Sequence, residues 1–290
     1  MKISTTATLY ATEFAPILLR GKLPQLFQTT AELGYDGIEL HLRRPEDVQA
    51  EEVLGLMQRH SLAVPTIGTG MAAGMDGLNF ASDDAAVREA AVAIIGRHIE
   101  LAARLGAGVT LGLIVGRLGA EAAQRERRYE HLLTCLRSCA ERAERAGVTL
   151  FLEAINRYEG DALNTLADAA AAARRVGSPR IRLLADTFHM NIEEVDIAGA
   201  LGAAGDLLGH VHLVDSNRWA PGYGHVDFTR VLAALKRIGF AGVVGGVEGA
   251  VEEGVVVHPG ELQVGFGRGE LHLVGSSQEL LHQGAGAGAE

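Results

Sequence analysis

Apolar and polar positions along the chain alternate between two patterns. Segments with apolar residues every three or four positions, the spacing of an amphipathic helix, mostly end at a glycine and give way to short apolar runs. "KLPQLFQTTAELG" leads into "YDGIELHL", "PEDVQAEEVLGLMQRH" into "SLAVPTIG", and "SDDAAVREAAVAIIGRHIELAARLG" into "AGVTLGLIVG". The unit recurs with "VTLFLEAIN", "SPRIRLLAD", "DLLGHVHLVD" and "FAGVVGGVEG" as its later apolar runs. A glycine closing each periodic segment suits the left-handed position that ends a helix. The short runs read as apolar on both faces, the pattern of parallel strands covered by helices.

With the opening "KISTTATL", this predicts eight strands and seven helices. Strand–helix alternation in that number points to an α/β fold, a (β/α)8 TIM barrel, whose usual size is about 250 residues. An open doubly wound sheet would carry a Gly-x-Gly-x-x-Gly turn after an early strand, and the chain has none. No linker or break in composition precedes residue 249, so residues 1–248 are expected to form a single barrel domain. Residues 249–290 are expected to form an irregular glycine-rich segment that ends in low-complexity sequence, with "SSQELLHQ" its one short helical piece.

Composition narrows the function. The chain has 290 residues, 48 % of them hydrophobic, and a formal charge of −10. That balance argues against nucleic acid as a partner, since phosphate binding needs a basic surface. No apolar run is long enough to span a membrane, and "MKISTTATLYATEF" lacks the apolar centre of a secretory signal. A cytoplasmic protein is expected. Its two cysteines, Cys135 and Cys139, share one face of a helix and read as packed thiols. The charged run "RERRYEHLLTCLRSCAERAERAG" reads as a solvated helix face.

In such barrels the active site lies at the carboxyl ends of the strands. Those ends carry Glu153 on strand five, Asp186 on strand six, His212 on strand seven and Glu248 on strand eight. Successive members stand roughly 30 residues apart, about one strand–helix unit of the barrel, so the four side chains can meet at one point. Three carboxylates and an imidazole suit a hard or borderline divalent ion, Mn2+, Mg2+ or Co2+, with Zn2+ still open. His210, two residues before His212, is expected on the same strand face but one layer deeper. Glu39 and His41 on strand two are candidates as well, with a structural salt bridge an equal reading for them.

"EAINRYEGDALNT", "LLADTFHMNIEE" and "GHVHLVDSNRWAPGYGHVDF" resemble the motifs of the xylose-isomerase-like sugar isomerase and epimerase barrels, and most nearly the ketose 3-epimerases of the D-tagatose 3-epimerase type. The resemblance covers the layout from residue 1 to residue 248, with its specific motifs between Glu153 and Phe228. It implies that Glu153, Asp186, His212 and Glu248 hold the metal. It implies that Glu153 and Glu248 are the acid/base pair, and that Glu159, His189 and Arg218 hold the sugar. The expected partner is then a small keto sugar, epimerised at C3 through an enediolate, with room left for a homo-oligomer. An aldose–ketose or hydroxypyruvate isomerase shares the frame. A sugar-binding barrel without turnover and an endonuclease-like barrel are further readings. Against the last stand the acidic net charge and a third strand, "AVPTIGTG", without histidine.

Overall fold

The computed structural model describes residues 1–10, 17 and 19–246, and the backbone of residues 263–267 and 270–274. Eight parallel strands form its centre: β1 (Lys2–Thr8), β2 (Gly37–His41), β3 (Thr66–Gly68), β4 (Gly108–Leu111), β5 (Leu150–Glu153), β6 (Ile181–Asp186), β7 (Leu208–His212) and β8 (Val243–Gly245). Each pairs with the next in sequence, and β8 returns to β1 through Lys2 opposite Val243 and Ile3 opposite Val244. The sheet is therefore a closed TIM barrel. A two-residue strand, Leu19–Arg20, lies against the end of β1.

The helices among the described residues are α1 (Leu23–Glu32), α2 (Ala50–His60), α3 (Gly70–Asp76), α4 (Ala85–Leu105), α5 (Ala122–Ala146), α6 (Leu166–Val176), α7 (Thr187–Glu193), α8 (Ile197–Ala204) and α9 (Phe228–Arg237). Seven correspond to the periodic segments of the sequence. The other two, α3 and α7, are single short helices in the loops after β3 and β6, too brief for a hydrophobic period to announce them. Local chemistry sets the ends of the longer ones. Asp84 caps α4 by accepting from the Ala86 amide at 2.8 Å, and Thr165 with Asp168 forms a reciprocal capping box on α6. Gly106, at φ 68°, closes α4 in the left-handed conformation that lets the chain turn back into β4.

The two faces of the strands differ, which departs from the expectation of strands apolar throughout. Outward positions such as Ile38, Leu40, Val109, Leu111, Leu152 and Leu183 are fully buried in one core with the helix residues Leu26, Val53, Ile95 and Leu132. Inward positions are largely polar. Ser4 donates to Glu39, Thr66 and Thr110 bond to each other at 2.9 Å, and Glu39 meets His210 across the barrel. Closing the sheet gives the strands an interior where polar groups satisfy one another, so polarity inside it needs no solvent. Cys135 and Cys139 are free and buried in α5, where burial pushes their thiols up to about 11 and about 12.

Residues 249–290 are expected from the sequence to be irregular. Within it, Gln263–Gly267 (β9) and Glu270–Val274 (β10) pair antiparallel, with Val264 opposite Leu273 and Phe266 opposite Leu271. The alternation of apolar residues in "QVGFG" and "ELHLV" is the period-two signal for that pairing. Glu248 and the helical piece expected at "SSQELLHQ" lie outside the described residues. Among the described residues, no helix is long and apolar enough to cross a membrane.

The loop after β7 is organised by one buried carboxylate. Asp215 accepts from the amides of Ser216 at 2.7 Å, Val226 at 3.1 Å and Gly222 at 2.8 Å. Burial alone would raise its pKa, yet these amides hold it below the ordinary aspartate range. A depressed folded pKa means stability that is present above the unfolded value, about 3.9, and lost as pH falls through the folded value. Asp215→Asn turns an amide NH2 or a single oxygen toward three donors. It should cost about 1–3 kcal/mol at pH 7, with the gap from the unmodified protein narrowing as melts are repeated below pH 4. A gap that does not change with pH would show that the charge is not what holds the loop. In the core, Leu111→Ala should cost about 2–5 kcal/mol by denaturant titration, while Val195→Ser, at a fully exposed position, should shift stability by under about 0.5 kcal/mol.

Candidate active site

Three of the four expected ligands come together. Ligand atoms of Glu153, Asp186 and His212, at the carboxyl ends of β5, β6 and β7, lie within 4.8 Å of one another. Asp186 is fixed there by helix capping. Its Oδ1 accepts from the amides of Phe188 at 2.8 Å and His189 at 3.3 Å as α7 begins, which leaves Oδ2 facing His212 Nδ1 at 3.6 Å. Thr187 ties the ends of β6 and β7 together, donating to the Val214 carbonyl at 2.6 Å and accepting from the Val214 amide at 2.8 Å. Glu153 reaches the same point over Gly112, where a Cβ would overlap its carboxylate. The fourth expected ligand, Glu248, falls outside the described residues.

His212 supplies a test of whether the set fits a metal. Its Nε2 meets Glu39 Oε2 at 3.1 Å, while its Nδ1 is buried and has no hydrogen-bond partner. A buried nitrogen aimed at two carboxylates without bonding either is costly unless a cation completes the group. Burial alone would push the His212 pKa down, but Glu39 and Asp186 raise it well above the ordinary range. That is the mark of a strongly negative pocket, in which a divalent ion would displace a proton. Donors of two oxygens and one nitrogen suit Mn2+, Mg2+, Co2+ or Zn2+. A second cluster, Glu39 with His210 and His212, reads instead as a hydrogen-bonded group, since its contacts of 3.0 and 3.1 Å are already bonds.

Glu159, His189 and Arg218 assemble beside this triad around a residue the sequence reading passed over, Asn156. The Tyr158 amide donates to Asn156 Oδ1 at 3.0 Å, which turns the Asn156 NH2 toward Glu159 Oε1 at 3.0 Å and His189 Nδ1 at 2.6 Å. His189 therefore accepts at Nδ1 and carries its proton on Nε2, which faces Glu153 Oε1 at 4.0 Å. Burial, helped by the charges of Arg218 and His212, lowers the His189 pKa against the pull of Asp186 and Glu159. Burial would raise Glu159, but Arg218 and Asn156 hold it below the usual carboxylate range. The Arg218 guanidinium donates to Glu159 at 2.6 Å and stacks 4.7 Å above the Phe188 ring. Arg218 itself sits at φ 65°, in a turn closed by its amide on the Asp215 carbonyl at 2.9 Å.

The other two candidates on β2 divide. His41 lies against Gly68, and loss of hydration pushes its imidazole down to about 4. Glu39 is fully buried and bonded to both histidines of β7. A cavity of about 190 Å3 opens beside Glu159, walled by Ala73, Leu113, Ile155 and Leu163. Trp219 and Tyr223, paired at 5.8 Å, and Tyr158 stand exposed on the loops of the same end of the barrel.

A closed parallel barrel with acidic and imidazole groups at its carboxyl mouth has relatives of known activity. The sequence pattern of the xylose isomerase-like TIM barrel family matches residues 27–263. An L-ribulose 3-epimerase of Mesorhizobium japonicum is 35 % identical over 225 residues, 77 % of this chain and 74 % of the relative. A D-psicose 3-epimerase of Agrobacterium fabrum is 31 % identical over 229 residues, 77 % of this chain and 78 % of the relative. The structure of a D-allulose 3-epimerase from Methylomonas sp. is similar with a TM-score of 0.75 at 26 % identity, covering 98 % of this chain and 97 % of that one. These similarities support a sugar epimerase function. The chain belongs to the xylose isomerase-like TIM barrel family, and its homologues include ketose 3-epimerases.

Proposed function

We propose that the chain is a divalent-metal-dependent ketose 3-epimerase acting on a free keto sugar, with Mn2+ the favoured ion. One observation carries the reading: Glu153, Asp186 and His212 converge at the barrel mouth around a buried, unpartnered His212 Nδ1. Glu248 is assigned as the fourth ligand from the sequence alone. A divalent ion held there would polarise the C2 carbonyl and stabilise the charge that develops as C3 loses its proton.

The rest of the reaction falls to side chains. Epimerisation needs one group to take the C3 proton from one face and another to return a proton to the opposite face. Glu153, at the end of β5, and Glu248, assigned from the sequence, are proposed for these roles. His189 carries its proton on Nε2 toward Glu153 and would donate it as a hydrogen bond to the oxygen on which charge grows. Glu159 and Arg218 would fix neighbouring hydroxyls, the carboxylate accepting and the guanidinium donating. The cavity beside Glu159 has room for the distal carbons, between aliphatic walls and Arg117.

A second reading has specific support. The 3-dehydro-D-guloside 4-epimerase of Escherichia coli is 39 % identical over 109 residues, 38 % of this chain and 42 % of the relative. The structure of 3-keto-D-glucoside 4-epimerase from the same organism is similar with a TM-score of 0.74 at 27 % identity, covering 87 % of this chain and 94 % of that one. The same acid/base chemistry beside a C3 ketone inverts C4.

Proton NMR in D2O separates the readings. Deuterium at C3 of psicose, tagatose or ribulose, with the epimer appearing, is the expected result. Exchange only at C4 of a 3-keto sugar would replace it with the second reading, and exchange at C1 would indicate an isomerase. No exchange in any of these sugars or in hydroxypyruvate would overturn the proposal. Chelation should abolish turnover and Mn2+ restore it. With Mn2+ saturating, Glu153→Gln should lower kcat by about 10²- to 10⁴-fold, and full activity in that variant would remove Glu153 from proton transfer.

A further inference from the structure

Glu39 is a carboxylate of the barrel interior that reaches from β2 across to β7, behind His212. It is fully buried. Its Oε1 accepts from Ser4 Oγ at 2.5 Å and meets His210 Nε2 at 3.0 Å, and its Oε2 meets His212 Nε2 at 3.1 Å. The contact joins β2 to β7 with β1 and β8 between them. It exists because β8 presents Gly245 at this level, where a Cβ would overlap Glu39 Oε1. The His210 ring is held in turn between Phe151, at 5.4 Å, and the edge of His212, at 5.2 Å.

Each of these features constrains His212. A carboxylate only accepts, so the ring nitrogens that face it carry the hydrogens. With its hydrogen on Nε2, a neutral His212 has its lone pair on Nδ1, the atom turned toward Asp186 and Glu153. We propose that Glu39 is a positioning residue, which fixes the ring orientation and tautomer of His212 so that Nδ1 is the ligand atom. Gly245 admits it and Ser4 and His210 anchor it. The inference rests on the metal reading of the triad and adds the group behind it. A carboxylate behind a ligating imidazole makes the imidazole a better and better-aimed ligand, and losing such a partner weakens metal affinity about 10- to 100-fold.

A purely structural role predicts something different. Glu39 would then be a buried ion-pair partner, whose replacement by the isosteric glutamine moves stability and leaves metal affinity alone. The test is Mn2+ titration of the metal-free full-length protein, followed by the electron paramagnetic resonance signal of free Mn2+ and read beside thermal melts. Glu39→Gln should raise the Mn2+ dissociation constant about 10- to 100-fold in a protein that still melts cooperatively. Gly245→Ala, which displaces Glu39 without altering it, should weaken Mn2+ in the same direction and serves if Glu39→Gln does not fold. Ring 15N shifts of His212 in the Mg2+-loaded protein should show a protonated Nε2 that Glu39→Gln disturbs. Unchanged Mn2+ affinity in folded variants would overturn the role of Glu39 while leaving the metal site standing. A wild-type protein that takes up no Mn2+ would overturn both.

Discussion

The support behind the mouth depends on a short seam. The barrel closes where β1 meets β8, through Lys2 opposite Val243 and Ile3 opposite Val244. Parallel strands in a closed ring must all end on the same rim, so residues far apart in sequence become neighbours without any long-range loop to carry them. Glu153, Asp186 and His212 end three consecutive paired strands, β5, β6 and β7, and so meet at that rim. Closure also creates the interior in which Glu39, on β2, touches His210 and His212, on β7, from the opposite side of the seam. An open sheet of the same strands would leave β2 and β7 five strands apart.

The interior so formed holds charge at considerable cost. A buried carboxylate is tolerated only when donors replace its water, and Glu39 has three. Burial alone would raise its pKa, but His210 and His212 keep it well below the usual carboxylate range. Asp186 is stabilised in another way, by the amides that open α7. Neither device uses up the face of the carboxylate or imidazole that turns toward the mouth. Polar groups are thus satisfied from behind and left under-satisfied in front, the arrangement expected where a ligand is to complete the set.

Much of this was legible in the sequence, and the limits are physical. Repeating helix–glycine–strand units gave the barrel because amphipathic period and strand length are local properties. Glu153, Asp186 and His212 were legible because each ends a strand. Glu39 was ambiguous: its place on β2 is visible, but whether a strand-two glutamate bonds outward to a helix or inward across the barrel depends on the strand opposite. Gly245 carried no signal, since a glycine among "VVGG" looks like any other until Glu39 occupies the space beside it. Asn156 was hidden for a related reason. Its function lies in which way its amide is turned, and the Tyr158 amide that turns it belongs to the loop geometry.

The histidines of the site show how far the surroundings, and not the residue type, determine chemistry. His212 and His189 are both buried within a few ångströms of Asp186, and burial pushes both toward the neutral form. At His212 two carboxylates, one on each side of the ring, overcome that push and make its pocket attractive to a cation. At His189 an amide donor occupies Nδ1 and the charge of Arg218 stands nearby, so the ring stays neutral with its hydrogen on Nε2. On the proposed reading one imidazole would serve as a ligand and the other as a hydrogen-bond donor, with Glu39 behind the first and Asn156 beside the second. Chemistry at a carbon next to a carbonyl needs both kinds at once: a group that holds positive charge in place, and a neutral donor that meets negative charge as it forms.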